Sequence, residues 1–291
     1  MKALFRLVVC WFAFVVALML AGVIAAALHI SMGRLPGGAS PQALFIMQLI
    51  GGVVLVVGLW PLARSLRGPA VLRAAAFVAF LLLAFGVNGV IEARKFTNFL
   101  DAGIAGALLF DTSVAIVLGV SMGLLFGNDG KVEGFPHRAW PLWAWRIVAG
   151  WLGWPITYFV FGMCIAPIVT PYYQAGTLGL RIPTMSTVVA TQLIRSAIFL
   201  VASLPFVALW KGTRRNLWLT LGLAHAFTIG LYGIVSATFL PMVLRVSHSI
   251  EMTCDGFAYA GLLVLLFAAP ATANARTEMA GSVPLQPQPL H

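Results

Sequence analysis

The segment LVVCWFAFVVALMLAGVIAAALH, residues 7–29, contains no Asp, Glu, Lys or Arg. An apolar run of about 20 residues is long enough to cross the hydrocarbon core of a bilayer as a helix. Lys2 and Arg6 precede the run, as basic residues precede the core of a signal peptide, but such a core has only about 7–15 residues. We therefore expect the segment to be retained as a first transmembrane helix.

The whole chain has the composition of a membrane protein. Of its 291 residues, 61% are hydrophobic and 9% are charged, and the mean hydropathy is +0.98. A soluble domain carries about 25% charged residues, so the composition excludes a soluble enzyme and a secreted disulfide-rich domain. The net charge of +10 does not indicate nucleic-acid binding, because the basic residues lie in short clusters between apolar runs.

Seven further apolar runs follow the first one. Turn-rich or charged segments separate them, for example Arg64 to Pro69 and Gly127 to Pro136. The pattern predicts an all-α integral membrane protein with eight transmembrane helices. The predicted spans are residues 7–29, 43–62, 74–91, 103–126, 146–168, 186–209, 217–239 and 248–269.

The distribution of basic residues predicts the orientation, because Lys and Arg are retained on the cytoplasmic side. With the N-terminus inside, the twelve basic residues that face the cytoplasm are Lys2, Arg6, Arg64, Arg67, Arg73, Lys131, Arg138, Arg146, Lys211, Arg214, Arg215 and Arg276. The five that face outward are Arg34, Arg94, Lys95, Arg181 and Arg245. This bias predicts that both termini are cytoplasmic, so the inner side of the bundle is the side that carries the termini.

The two halves of the chain share residues in the same order. The residues that recur 140 positions later are Arg6, Val8, Trp11, Gly22 and Ala26. Those that recur 144 positions later are Gln48, Leu49, Ile50, Pro61, Gly68, Gly86, Gly89 and Asp111, which matches Asp255. Because each half has an even number of spans, both halves insert with the same orientation. We therefore predict two parallel four-helix repeats, related by a pseudo-twofold axis along the membrane normal.

This duplication sets the predicted domain organisation. Residues 1–127 form the first four-helix membrane repeat, and residues 146–269 form the second. Residues 128–145 are a cytoplasmic connecting loop. Residues 270–291 have no periodic apolar face, so they are predicted to be a disordered cytoplasmic tail.

Ionisable side chains inside the predicted spans are candidates for function, because each costs at least about 2.5–3.5 kcal/mol at the bilayer centre. Arg195 lies in the middle of the sixth span, and we expect a carboxylate partner for it. The candidate partners are Asp255, Glu251 and Asp111. The residues that share one face of the eighth span are His248, Glu251, Asp255 and Tyr259. Gln48 and Gln192 are predicted repeat equivalents that add amide hydrogen bonds, which completes a predicted substrate or ion pathway between the repeats.

Three hypotheses account for these polar residues. In the favoured one, the chain is a transporter or channel-like protein for a small solute or ion. In the second, it is a non-catalytic membrane scaffold or accessory protein whose buried ion pairs are structural. The third is an intramembrane metal-dependent hydrolase whose ligands are His225, His248, Glu251 and Asp255. The third is weakened because there is no H-E-x-x-H motif and because His225 and His248 are predicted at different depths.

No catalytic residue, metal site or cofactor is predicted, and the sequence favours a protein that is not an enzyme. It lacks the G-x-S-x-G, phosphate-loop and Rossmann motifs, and its three cysteines form no C-x-x-C pair. The expected partners are the lipid bilayer and a small molecule or ion, without nucleic acid. Arg outnumbers Lys 14 to 4, which together with the Ala, Leu, Gly and Val content favours a prokaryotic inner (plasma) membrane.

Overall fold

A computed structural model of the chain describes residues 1–31, 40–98, 100, 103–132, 134–176 and 178–268, without the side chain of Pro41. In these residues, eight helices are long and apolar enough to cross a membrane. They are α1 (Lys2–Ala27), α2 (Pro41–Ala63), α3 (Ala70–Phe96), α4 (Ile104–Leu125), α5 (Trp140–Ala175), α6 (Met185–Leu209), α7 (Arg214–Ser236) and α8 (Met242–Phe267). The predicted all-α membrane fold with eight spans is confirmed. The tail predicted for residues 270–291 lies outside the described residues.

Most helices extend beyond their predicted spans, and the extension of α3 brings a polar residue into the bundle. α3 continues to Phe96 rather than ending at residue 91, and α8 begins at Met242 rather than at residue 248. Glu92 is therefore a helical residue, and His248, predicted as the first residue of the eighth span, lies within α8 rather than at its start. α5 also starts six residues earlier than predicted, with Pro141 in its first turn, where the missing backbone N–H costs no helical hydrogen bond.

The helices of each half pack in matching pairs. α4 packs on α1 and α3, and α8 packs on α5 and α7. Between the halves, α2 packs on α7 and α6 packs on α3. Each of these contacts in the first half thus has a counterpart in the second half.

Two local features recur along with the packing. The Trp11 indole N–H donates to the Leu49 carbonyl at 2.9 Å, and the Trp151 indole N–H donates to the Leu193 carbonyl at 2.7 Å. α3 and α7 each contain a π-helical segment, Leu81–Val87 and Ala226–Leu231, and the two segments contact each other. These matches agree with the predicted repeat.

The inner half of the interface between the two halves is closed by aromatic rings. Phe206 of α6 packs against Phe77 and Phe80 of α3, with ring centroids 4.9 Å and 5.3 Å apart. His225 of α7 lies 5.1 Å from the Phe80 ring and its Nε2 is 2.9 Å from the Ser203 hydroxyl. None of these aromatic and histidine contacts involves a charged group, so this described part of the interface is mainly apolar.

Candidate ion or solute site

Arg195 of α6 is the centre of a buried hydrogen-bonded cluster on the outer side of the aromatic rings. Its side chain is 1% exposed. Its Nε donates to Asn88 Oδ1 at 2.7 Å, and its Nη1 donates to Gln192 Oε1 at 3.3 Å. Its Nη2 lies 2.7 Å from Glu92 Oε2, and the Glu92 side chain is 40% exposed. The guanidinium charge is therefore balanced by a carboxylate of α3.

The expected pairing of Arg195 with Asp255, Glu251 or Asp111 is wrong. The partner is Glu92, which the sequence analysis placed one residue beyond the end of the third span. The spacing of Asn88 and Glu92 is the signal that was missed: the two residues are four positions apart, so both lie on the face of α3 that meets α6.

Aromatic side chains pack against one side of the Arg195 cluster. The Trp154 indole N–H donates to Gln192 Oε1 at 3.2 Å, so this oxygen accepts from both Trp154 and Arg195. The Arg195 guanidinium carbon lies 5.9 Å from the centroids of Trp154 and Phe199. A cation within about 6 Å of an aromatic face is attracted to it, so the position of the guanidinium is fixed on this side.

A cavity of about 370 Å³ opens on the other side of Arg195, between α2, α3, α4, α6 and α7. We call it the central cavity. Its principal polar lining residues are Gln48, Asn88, Glu92, Asp111, Arg195 and Tyr232. The Tyr232 hydroxyl donates to Gln48 Oε1, which joins α7 to α2 across the cavity. Leu100, beyond the outer end of α3, also lines it, so the cavity extends toward the outer side.

The central cavity contains more acidic than basic groups. Arg195 is the one basic side chain in its lining, whereas Glu92 and Asp111 are both carboxylates. Glu92 is already paired with Arg195, and Asp111 has no ion-pair partner among the described residues. The cavity is therefore suited to a ligand that carries positive charge or donates hydrogen bonds.

The polar residues of α8 lie apart from the central cavity. Nδ1 of His248 is 3.0 Å from Glu251 Oε2, and Nε2 of His248 is 3.4 Å from the Tyr173 hydroxyl of α5. His248, Glu251 and Tyr173 line a second cavity of about 320 Å³ between α5, α6 and α8, whose other walls are mainly apolar. We call it the lateral cavity.

Asp255 and Tyr259 line neither cavity. Both side chains are fully buried in the bundle, and neither the Asp255 oxygens nor the Tyr259 hydroxyl has a hydrogen-bond partner among the described residues. The eight predicted pathway residues thus fall into three groups. Gln48, Asp111 and Arg195 line the central cavity, with Gln192 behind Arg195. His248 and Glu251 line the lateral cavity, and Asp255 and Tyr259 are enclosed.

The register of α8 favours Glu251 over Asp255 as the counterpart of Asp111. Asp111 is the seventh residue after the start of α4, whereas Glu251 and Asp255 are the ninth and thirteenth after the start of α8. Six residues of helix correspond to about 9 Å, so Asp255 lies deeper than Asp111. The equivalence of Asp111 and Asp255 stays a prediction that the helix bounds do not favour.

The glycine contacts of α3 and α7 indicate the same register. A Cβ added at Gly86 would lie 2.7 Å from Asp111 Cβ, so α3 and α4 approach closely there. A Cβ added at Gly230, 144 residues later, would lie 3.3 Å from both Met252 Cβ and Thr253 Oγ1. The part of α8 that takes the place of Asp111 is therefore at Met252 and Thr253, before Asp255.

No three His, Cys, Asp or Glu side chains come together in the described part of the chain in a way that would hold a metal ion. The four ligands of the hydrolase hypothesis are divided accordingly: His225 pairs with Ser203, and His248 pairs with Glu251. No family model, curated protein or solved structure matches the chain.

Proposed function

We propose that this polytopic membrane protein is a transporter or channel-like protein for a small ion or polar solute, and that the solute binds in the central cavity. The observation that carries the proposal is the cavity itself: it is lined by both halves of the chain and contains Arg195, Glu92 and Asp111. Ionisable residues inside a membrane are costly and typically line a substrate or ion path.

The charge of the cavity favours a cation as the solute. Arg195 and Glu92 neutralise each other, so the remaining charged group is Asp111. A carboxylate in a space shielded from bulk water is stabilised by a bound cation or a proton. Gln48 and Tyr232 add polar atoms at the opposite wall, where they would complete the coordination of the solute.

The position of the cavity suggests how access would alternate. The aromatic cluster of Phe77, Phe80 and Phe206 closes the interface on the inner side, while the cavity extends outward to Leu100. The helix pairs that form the cavity, α2 with α7 and α3 with α6, are also the pairs that join the halves. A rocking motion of one half against the other would therefore open the inner side and close the outer side.

The test is ion flux through the purified protein in liposomes, with protons, alkali cations and a small organic cation supplied in turn. Parent protein should carry at least one of them, and Asp111→Asn should reduce that flux to the level of protein-free liposomes. Asp129→Asn is the matched control, because Asp129 is an acid with an 83% exposed side chain in the loop after α4. Its flux should equal that of the parent.

Absence of flux in the parent protein for every cation would overturn transport of a cation and favour the scaffold hypothesis, in which Arg195 and Glu92 only fasten α6 to α3. Equal flux in Asp111→Asn and the parent would leave transport in place and remove the central cavity from it. The prokaryotic inner membrane belongs to the same proposal, and localisation of a tagged chain in membrane fractions of a bacterial host tests it.

A further inference from the structure

Asp255 is a buried acid without a partner. Its side chain is 0% exposed, and neither carboxyl oxygen accepts or donates a hydrogen bond among the described residues. An ionised carboxylate in such a place lacks both water and a counter-charge, which is among the least favourable situations for a side chain. A carboxyl group that has taken up a proton avoids this cost.

The charged and titratable groups around Asp255 come from five helices. They are Glu251, Cys254 and Tyr259 on its own helix, Arg195 of α6, Glu92 of α3, Tyr158 of α5 and His225 of α7. Arg195 is the one permanent cation among them, and its hydrogen bonds go to Asn88, Gln192 and Glu92 rather than to Asp255. The positive charge nearest to Asp255 is thus already balanced.

A line of proton-carrying groups leads from Asp255 toward the outer side. Glu251 is one helical turn away on the same face of α8, at a distance of about 5–6 Å between Cβ atoms. Glu251 is bound to His248, which in turn contacts the Tyr173 hydroxyl. His248 has a 34% exposed side chain, and its cavity extends to Arg181 in the loop between α5 and α6.

We propose that Asp255 is a reversible proton-binding site, and that its protons enter from the outer side through His248 and Glu251. The site lies outside the central cavity and takes a proton as its ligand. It does not depend on the transport proposal, because a proton can bind to Asp255 whether or not a solute crosses the protein.

The transfer needs no other reactant. A proton taken up at Nε2 of neutral His248 gives an imidazolium, which releases its Nδ1 proton to Oε2 of Glu251. The imidazole is left neutral with the proton on the other nitrogen, and the neutral Glu251 passes its proton to a carboxylate oxygen of Asp255. Glu251 returns to its ionised form, and the ring resets when Nδ1 takes up one proton from water and Nε2 releases one to water, so that the net change is one proton moved from the outer side to Asp255.

Infrared spectroscopy reads this proton directly, because a carboxylic acid and a carboxylate absorb at different frequencies. The parent protein, purified in its full length and placed in lipid nanodiscs at neutral pH, should show a carboxylic-acid C=O band that is missing in Asp255→Asn. The amide has nearly the shape of the neutral acid, so the variant should unfold at nearly the same temperature as the parent. Identical carboxylic-acid bands in the two proteins would overturn the proposal.

The route is tested by the rate at which this band shifts after transfer into D₂O. His248→Gln retains a polar side chain but relays no proton, so it should slow the shift about tenfold or more. His29→Gln is the matched control, since His29 follows α1 on the outer side, and α1 packs on α2 and α4. Both variants retain Asp255, so the band itself stays visible. Equal rates in His248→Gln and the parent would overturn the outer route.

The two proposals can fail separately. If the parent protein carries flux but shows the same carboxylic-acid band as Asp255→Asn, the proton site is removed and transport through the central cavity stays in place. A band that responds as expected in a protein without flux would retain Asp255 as a proton site and remove transport.

Discussion

Arg73 near the inner end of α3 and Arg195 in the outer half of α6 are both buried, but different kinds of group satisfy them. Arg73 donates to the Gly123 carbonyl at 3.1 Å and to the Gly68 carbonyl, and its Nη1 lies 3.0 Å from Asp129 Oδ1. Arg195 is bound by side chains only. The backbone carbonyls that bind Arg73 are held in place by the packed chain, whereas the side chains that bind Arg195 can rotate away.

The surroundings of the two arginines differ in the same sense. The side chain of Arg73 is packed against Gly127, where φ is +80° and an added Cβ would lie 2.6 Å from Arg73 Cδ. Arg195 instead faces a cavity of about 370 Å³. We infer that Arg73 fastens the loop after α4 to α3, and that Arg195 belongs to a site whose contacts can be exchanged for a ligand.

The largest effect on stability is expected from Arg73→Leu. The variant leaves the carbonyls of Gly68 and Gly123 buried without a donor, which costs about 3 kcal/mol of unfolding free energy. The lost contact with the largely exposed Asp129 adds little. Unfolding in detergent, with Arg64→Leu as the exposed control, measures the loss. An equal loss in both variants would contradict a clamping role for Arg73, and flux per folded molecule should not change.

A smaller loss is expected from Arg195→Leu. Asn88 and Glu92 face the central cavity, so water replaces part of what the guanidinium supplied, and the cost should be about 2 kcal/mol. The same unfolding measurement ranks this variant against Arg73→Leu. A loss larger than that of Arg73→Leu would reverse the comparison and make Arg195 the main fastening of the bundle.

Two tryptophan side chains, like Arg73, donate to backbone carbonyls, and their acceptors lie within helices. Trp11→Phe and Trp151→Phe each remove one indole bond to a backbone carbonyl, so each should cost about 1 kcal/mol. Because the bonds are matched in the two halves, the two losses should agree within about 0.5 kcal/mol. Trp140→Phe, at a residue that is 74% exposed, is the control. Clearly unequal losses would weaken the repeat.

Cysteine labelling tests the orientation of the bundle in the membrane, and the cysteine variants should be nearly as stable as the parent. After Cys10, Cys164 and Cys254 are replaced by alanine, Gly130→Cys should be shielded from an impermeant thiol reagent in intact cells. Ile182→Cys, which is 61% exposed beside Arg181, should react. The expectation follows from the twelve basic residues on one side against five on the other. Reversed labelling would contradict the predicted orientation and show that the central cavity extends toward the cytoplasmic side.

The helices were predictable from the sequence because a membrane imposes one strong rule, an apolar run of about 20 residues for each span. The ends were less predictable, since polar residues such as Glu92 are tolerated in the last turns of a helix near the interface. The error at the end of α3 was small in residues, but it removed the ion-pair partner of Arg195 from consideration.

The site was predictable only in part. Arg195 was identified because a lone basic residue in the middle of an apolar span has no other explanation than a buried partner. The choice of that partner depends on which face of α3 packs on α6. The periodicity of one helix does not show which neighbouring helix its polar face contacts. The shared stripe on α8 likewise suggested one site, whereas packing encloses Asp255 and leaves His248 and Glu251 beside a different cavity.

The double variant Arg195→Leu/Glu92→Leu tests the central claim most directly, because it removes the ion pair without leaving a lone charge. Replacing a buried pair by apolar residues often retains stability, so the double variant should unfold close to the parent and above Arg195→Leu. In liposomes, its flux should fall to the level of protein-free liposomes, because the central cavity loses the polar groups of Arg195 and Glu92 and retains Asp111 as its one charged side chain. A double variant that is stable and carries the same flux as the parent would contradict the account and leave Arg195, like Arg73, with a structural role.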